Sequence, residues 1–333
     1  MADIDILNIE PSAISADLKG KYILLYGAEK TGKSTFGSKL PRSLFLQFEN
    51  GTNALSGIRG VNILRWTDAK KVLSQLRKPQ AKEMYDTVVV DTADIAYNLC
   101  ERYILQREGV DDIRSIPWGQ GFNMVKQEFS EFFREISLLQ FGILFIAHEK
   151  TYSTDYKDEQ GDNIMGVRPD LNSAPARVIN SLVDIIAYLK TTMKENGETE
   201  RFLYTRATPT IFAGSRYKYL APKIPFGDNG YNELVSAITE AIEKDVELNN
   251  ATVTTEHISA NIQRRSFDEV MDDAKELWVS YLDKATDEEN KEHRFNILND
   301  IVLKVFGKQI KLSTVLPSQQ DLLELVVEEF KNL

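Results

Sequence analysis

The stretch Tyr22-Ile23-Leu24-Leu25-Tyr26-Gly27-Ala28-Glu29-Lys30-Thr31-Gly32-Lys33-Ser34-Thr35 decides the fold. An apolar run ends in Gly27, and residues 27–34 then match G-x-x-x-x-G-K-[ST] ahead of a helical start. Glycines let such a loop bend until successive backbone N–H groups point at an anion. The helix N-terminus behind it adds partial positive charge. The spacing therefore predicts a phosphate-binding P-loop. Gly27, Ala28, Glu29, Lys30, Thr31, Gly32, Lys33, Ser34 and Thr35 would cradle a nucleotide. Lys33 would reach the β- and γ-phosphates, and the Ser34 hydroxyl would ligate Mg²⁺. The strand before the loop is apolar throughout, as a strand buried on both faces of a sheet must be.

Working outward, the chain has 333 residues, a hydrophobic fraction of 42% and a charged fraction of 27%, which are globular values. No apolar run approaches the ~20 residues that span a bilayer. The first residues are acidic and lack a basic segment followed by an apolar one, so no secretory signal is expected. The single cysteine, Cys100, excludes an intramolecular disulfide and a cysteine-based zinc site and suits a cytosolic setting. A net charge of −10 argues against a surface coated for duplex DNA, though it leaves room for a local basic groove. Residues 250–333 hold 10 Lys+Arg against 16 Asp+Glu. This more acidic tail reads as a separate unit, after a linker at 249–252.

In chain order, residues 1–20 read as an irregular lead-in and 21–248 as one nucleotide-binding core. Strands are expected over 22–26, 44–48, 61–65, 86–91 and 142–147. Helices are expected over 33–40, 68–77, 93–106, 122–139 and 231–247. Residues 183–189 and 202–206 form a strand pair around Asn196-Gly197, a strong hairpin turn signal. Residues 151–177 are polar and rich in turn formers and read as a long functional loop. The tail carries three amphipathic helices, over 267–282, 288–306 and 318–330.

Four positions give the P-loop a chemistry. Three valines lead into Asp91, so its carboxylate would hold the magnesium water shell opposite Ser34; it also fits a helix N-cap. Asp91 is followed by Thr92, so no glutamate stands beside it to serve as a base. Glu49 ends the strand after the P-loop helix and is the candidate to position the attacking water; its alternative is a turn cap. His148 follows a core strand and reads as a γ-phosphate sensor or as a surface-loop histidine.

The order of P-loop, strand-end Glu49, Asp91 and strand-tip His148 resembles the RecA-like ATPases. The stretches GAEKTGKST, LFLQFENG, TVVVDT and FGILFIAHEK are similar to the phage RecA-like P-loop ATPases associated with single-strand annealing and recombination. The resemblance covers roughly 22–244. It implies an α/β RecA-like P-loop NTPase core, with a mainly parallel central sheet flanked by helices, beside a small C-terminal helical domain over 249–333. It implies ATP with Mg²⁺, hydrolysis, self-association into a ring or filament, and single-stranded DNA as partner. Arg216 and Lys218 stand where such proteins offer cations across a subunit interface; they also read as solvated surface charges. Residues 151–177 stand where the family has a DNA-facing loop, with Tyr152, Tyr156, Arg168 and Arg177 as candidate contacts, or as plain packing residues. The resemblance also admits a single-strand-binding or annealing protein as partner, no membrane, and the bacterial host cytoplasm if the gene is a phage's.

Two departures stand out. The expected DNA loop begins with Asp155, Asp158, Glu159 and Asp162, and Gln47 occupies a place where many relatives are acidic. A nucleotide-gated oligomeric adaptor for another replication or recombination protein is the competing reading. A small-molecule kinase is a third, weakened by the lack of an arginine-rich lid.

Overall fold

Valine, isoleucine and leucine runs build the middle of a sheet that is closed to water on both faces. The computed structural model describes residues 14–15, 18–49, 55–249, 253–254 and 265–333. Most of the expected lead-in, residues 50 and 51 of the polar turn that the sequence predicts at 49–51, and the linker residues 250–252 lie outside them. The elements begin with β1 (Ile14–Ser15), β2 (Tyr22–Gly27), α1 (Lys33–Lys39), β3 (Ser43–Gln47), β4 (Arg59–Asn62), α2 (Trp66–Leu76), α3 (Pro79–Met84) and β5 (Thr87–Asp91). They continue with α4 (Ala93–Glu108), α5 (Gln120–Leu138), β6 (Gly142–Lys157), β7 (Asn163–Pro169), α6 (Ser173–Leu182), β8 (Ile185–Met193) and β9 (Thr199–Tyr204). The last are β10 (Gly214–Ser215), β11 (Lys223–Pro225), α7 (Gly230–Asn249), β12 (Val253–Thr254), α8 (Phe267–Asp283), α9 (Glu288–Phe306) and α10 (Gln320–Lys331).

The main sheet has the order β11-β9-β8-β2-β6-β5-β3-β4, with β10 on the edge of β8 and β7 on β6. Pairings from β8 through β2, β6, β5 and β3 to β4 are all parallel. One strand, β6, separates the P-loop strand β2 from the Asp91 strand β5. Parallel pairing also brings the C-terminal strand ends to one edge. There Gly27 stands opposite both His148 and Leu189, and Gln47 opposite Asp91.

Each face of the sheet has its own core. On one side Trp66, Phe129, Phe132, Phe133 and Phe145 pack beneath α2, α4 and α5. On the other Phe36, Leu25, Leu189, Ile238 and Ile242 pack beneath α1 and α7. Each fully buried large side chain contributes ~1.5–3 kcal/mol, which fixes the register of the strands and so the level of their tips. The described residues divide into two compact units, one within 9–259 and one within 260–333. In the second, α8, α9 and α10 bury Val270, Leu298, Val302, Leu323, Val326, Val327 and Phe330.

Three expectations change. The strand expected over 61–65 forms at Arg59–Asn62 instead, since β3 pairs with it from Leu44 to Gln47. The loop expected over 151–177 is mostly regular. β6 runs on past His148 to Lys157 and turns at 158–162 into β7, where Gly161 has φ +86. The ladder satisfies the backbone of this hairpin without an apolar face, so polarity here did not mean irregular structure. The chain then enters α6, whose Pro175 lies in the first turn, where no intrahelical N–H is needed. Arg177 therefore sits on a helix, apart from the hairpin.

Candidate functional site

The P-loop hangs between the end of β2 and the start of α1. Gly27 is pressed against β8: a Cβ there would lie 2.4 Å from the Leu189 carbonyl oxygen. Gly32 has φ +100, the left-handed region that favours glycine, and it starts the helix. The Thr31 hydroxyl donates to the Ala28 carbonyl at 2.9 Å, closing the loop on itself.

Lys33 is buried, 6% exposed, and its Nζ donates to the carbonyls of Gly27 at 2.9 Å and Ala28 at 2.6 Å. Burial lowers its pKa, while the carboxylates of Asp91, Glu149, Glu29 and Glu49 pull the other way. The Ser34 hydroxyl donates to Asp91 Oδ2 at 2.7 Å, joining the loop to the end of β5. Burial raises the Asp91 pKa, against the Ser34 bond. Phe48 and Glu49 both donate their backbone N–H to the Asp91 carbonyl, at 2.8 and 3.2 Å. That seam places the Glu49 side chain beside Asp91. His148, within β6, has its Nδ1 4.0 Å from Asp94 Oδ1.

These residues surround one cleft of about 370 Å³, lined by Glu29, Lys30, Gly32, Lys33, Ser34, Thr35, Glu49, Asp91, Thr92 and His148 among others. Of the sequence candidates, Gly27, Ala28 and Thr31 do not line it; they shape the loop behind it. Beside Asp91, Thr92 Oγ1 and Asp94 Oδ1 are buried with no hydrogen-bond partner. Buried polar atoms are rarely left so. Together with a desolvated cation and a hydroxyl–carboxylate pair, they fit a ligand that brings anionic oxygens, a divalent cation and its water.

The structure does not bring Arg216 or Lys218 to this cleft. Arg216 lies at the other end of the sheet, where its Nη1 donates to Asp184 Oδ1 at 3.0 Å. Asp184 Oδ2 accepts from the backbone N–H that opens β2, at Tyr22. Since β2 runs from there to Gly27, Arg216 is removed from the P-loop by about five strand steps, roughly 17 Å. Lys218 is exposed, with its ammonium 4.9 Å from the Tyr219 ring. On the hairpin, the Arg168 guanidinium stacks 5.0 Å from the Tyr152 ring, and Tyr156 is 56% exposed.

Two residues without a motif act on the P-loop without lining the cleft. Glu149 follows His148, and its Oε2 is buried without a hydrogen-bond partner. Arg201 of β9 donates from Nη1 to the Thr31 carbonyl at 3.4 Å. The only sequence signal for Glu149 was its place next to the strand tip. For Arg201 there was none, because its partner is 170 positions away.

The fold and this cleft define a P-loop ATPase. A family model described as an AAA domain matches residues 19–217, more than half of the chain, and the chain belongs to that family. It is 29% identical over 344 residues to the SPbeta prophage-derived uncharacterized protein YorG of Bacillus subtilis (strain 168), an alignment spanning 99% of this chain and 98% of the relative. Among solved structures, flagellar accessory protein FlaH from Methanocaldococcus jannaschii aligns with 62% of this chain and 85% of its own, at 11% identity and TM-score 0.33.

Proposed function

We propose that the chain is a Mg²⁺-dependent ATPase of phage recombination or single-strand annealing, which hydrolyses ATP in this cleft and works as an oligomer on single-stranded DNA. The observation that carries the hydrolytic part is the Ser34–Asp91 contact with Lys33, Glu49 and His148 around the same cleft. Magnesium, when bound, neutralises charge on the phosphate oxygens. Ser34 and Asp91 are the side chains that would hold it. Lys33 brings a desolvated positive charge to where the β- and γ-phosphates belong, and a desolvated charge interacts more strongly than a hydrated one. Glu49 orients the attacking water and takes up its proton. His148 senses whether the γ-phosphate is present.

The DNA part is supported by the hairpin. β6 passes without a break from the cleft through His148 to Tyr152 and Tyr156. An aromatic face with a guanidinium stacked on it suits an unpaired base and its phosphate. Arg168 and Tyr152 supply that pair, Tyr156 extends it, and Arg177 lies further along on α6. A prophage-derived relative of matching length supports a phage setting, and with it the host cytoplasm.

Phosphate release measured with and without single-stranded DNA tests this reading. Stimulated turnover and binding that weakens steeply with salt are expected. Turnover indifferent to DNA, with no binding at low salt, sinks the DNA part. The acid on the hairpin, Asp155, Asp158, Glu159 and Asp162, favours a second reading, an adaptor gated by nucleotide. That reading expects nucleotide-dependent capture of a protein partner that Tyr152→Ala leaves intact and loss of residues 250–333 abolishes.

A further inference from the structure

Arg201 stands out among the cations of the core because it touches the P-loop from behind. Nη1 donates to the Thr31 carbonyl at 3.4 Å, and Nη2 pairs with Asp228 Oδ1 at 3.0 Å. The guanidinium lies so close to Gly32 that a Cβ built there would meet Nη1 at 2.7 Å. Its own backbone is fixed as well: the Arg201 carbonyl accepts from Phe226 N–H at 2.8 Å. Phe226 packs on Phe36 of α1, ring centroids 5.4 Å apart. Thus the segment that anchors Arg201 also rests on the helix the P-loop leads into.

The Thr31 carbonyl and the Gly32 N–H belong to one planar trans peptide, so they point in opposite directions. Gly32 lines the cleft, and the Thr31 carbonyl is turned to Arg201. A cation on the carbonyl side polarises the peptide and strengthens its N–H as a donor to an anion. We propose that Arg201 is a positioning residue: it holds the Thr31–Gly32 peptide with its N–H aimed into the cleft, and Asp228 holds Arg201 in place. Its ligand class is the polyphosphate chain, reached through the peptide and not through the guanidinium. This rests on the reading of the cleft as a nucleotide site.

The test compares ATP with inorganic tripolyphosphate on the full chain by titration calorimetry, for the wild type, Arg201→Ala, Arg201→Lys and Lys33→Ala, with turnover measured in parallel. Arg201→Ala should weaken both ligands by the same factor, about fivefold to tenfold, the net worth of one ordinary hydrogen bond. KM should rise with it while kcat stays within about twofold, and Arg201→Lys should recover part of the affinity. Unchanged affinity in an Arg201→Ala variant that melts like the wild type overturns the proposal. So does a loss confined to ATP, which would mean direct contact with the nucleoside. If the wild type itself bound neither ligand, or Lys33→Ala bound both as well as the wild type, the nucleotide reading would fail instead.

Discussion

The two ends of the central sheet carry the same kinds of charge and use them in opposite ways. At the end where the parallel strands begin, the ions satisfy one another. Asp86 takes both Arg42 and Lys19, and Asp184 takes Arg216 and the Tyr22 N–H. Against the push of partial burial, Arg42 and Lys19 hold the Asp86 carboxyl below the ordinary carboxylate range. At the end where the strands finish, Asp91 has Ser34 and Lys33 has only carbonyls of its own loop. Burial there raises the Asp91 pKa and lowers the Lys33 pKa. Closed ion pairs are structure; charges held apart in a buried cleft are stored capacity for a ligand.

The largest effect that would break this contrast belongs to Glu49. Glu49→Gln should bind nucleotide like the wild type and release phosphate about 100-fold slower or worse, read from single-turnover assays. Turnover near the wild-type level removes Glu49 from the chemistry. Next comes Asp91→Ala, which should weaken Mg²⁺ activation about 10- to 100-fold as an outer-shell partner of the ion. A metal titration of turnover measures it.

Smaller effects test the paired end. Asp184→Ala strips both partners from one carboxylate and leaves the partly buried Tyr22 N–H unmatched, a loss of ~1–3 kcal/mol in denaturant melts. Arg216→Ala should cost under ~1 kcal/mol, as exposed pairs do, and leave turnover alone. If turnover collapsed, and mixing with Lys33→Ala restored it, Arg216 would be serving a neighbour's cleft and not only its own sheet.

Acid titration sharpens the contrast through signs. The Asp86 pKa is lowered by folding, so its contribution is present above 3.8 and is lost as pH falls through the lowered value. The Asp91 pKa is raised, so its protonated form is the stabilising one below 3.8, and that advantage is lost as pH rises through the raised value. Without magnesium, Asp86→Asn should therefore lower the melting temperature at neutral pH and Asp91→Asn raise it. Both differences should fade in strong acid, and two shifts of the same sign would contradict the assignment.

Much of this was legible in the sequence because it is encoded locally. Residues 27–34 carry their own geometry, and the apolar runs of β2, β5 and the first half of β6 state their burial. The hairpin was not legible, since a two-stranded ribbon exposed to water needs no apolar alternation. α6 was obscured by Pro175, which is harmless in a first turn. Arg201 and the Asp184–Arg216 pair depend on residues distant in the chain that meet only once the sheet is assembled. Arg216 looked like a cation for catalysis because the resemblance puts subunit-interface cations at that place; the structure sets it just after β10, on the edge of β8, and pairs it with Asp184.

β6 pairs with β2 and β5 along its first part and with β7 along its second, and this gives the molecule a rule of parity. Side chains along a strand alternate between faces, so His148 and Tyr152 share a side only because an even number of steps separates them. Insertion of one residue between them would turn Tyr152 to the opposite side, while insertion of two would restore it. Length variation in this segment is thus constrained by evenness more than by size, whatever the hairpin touches.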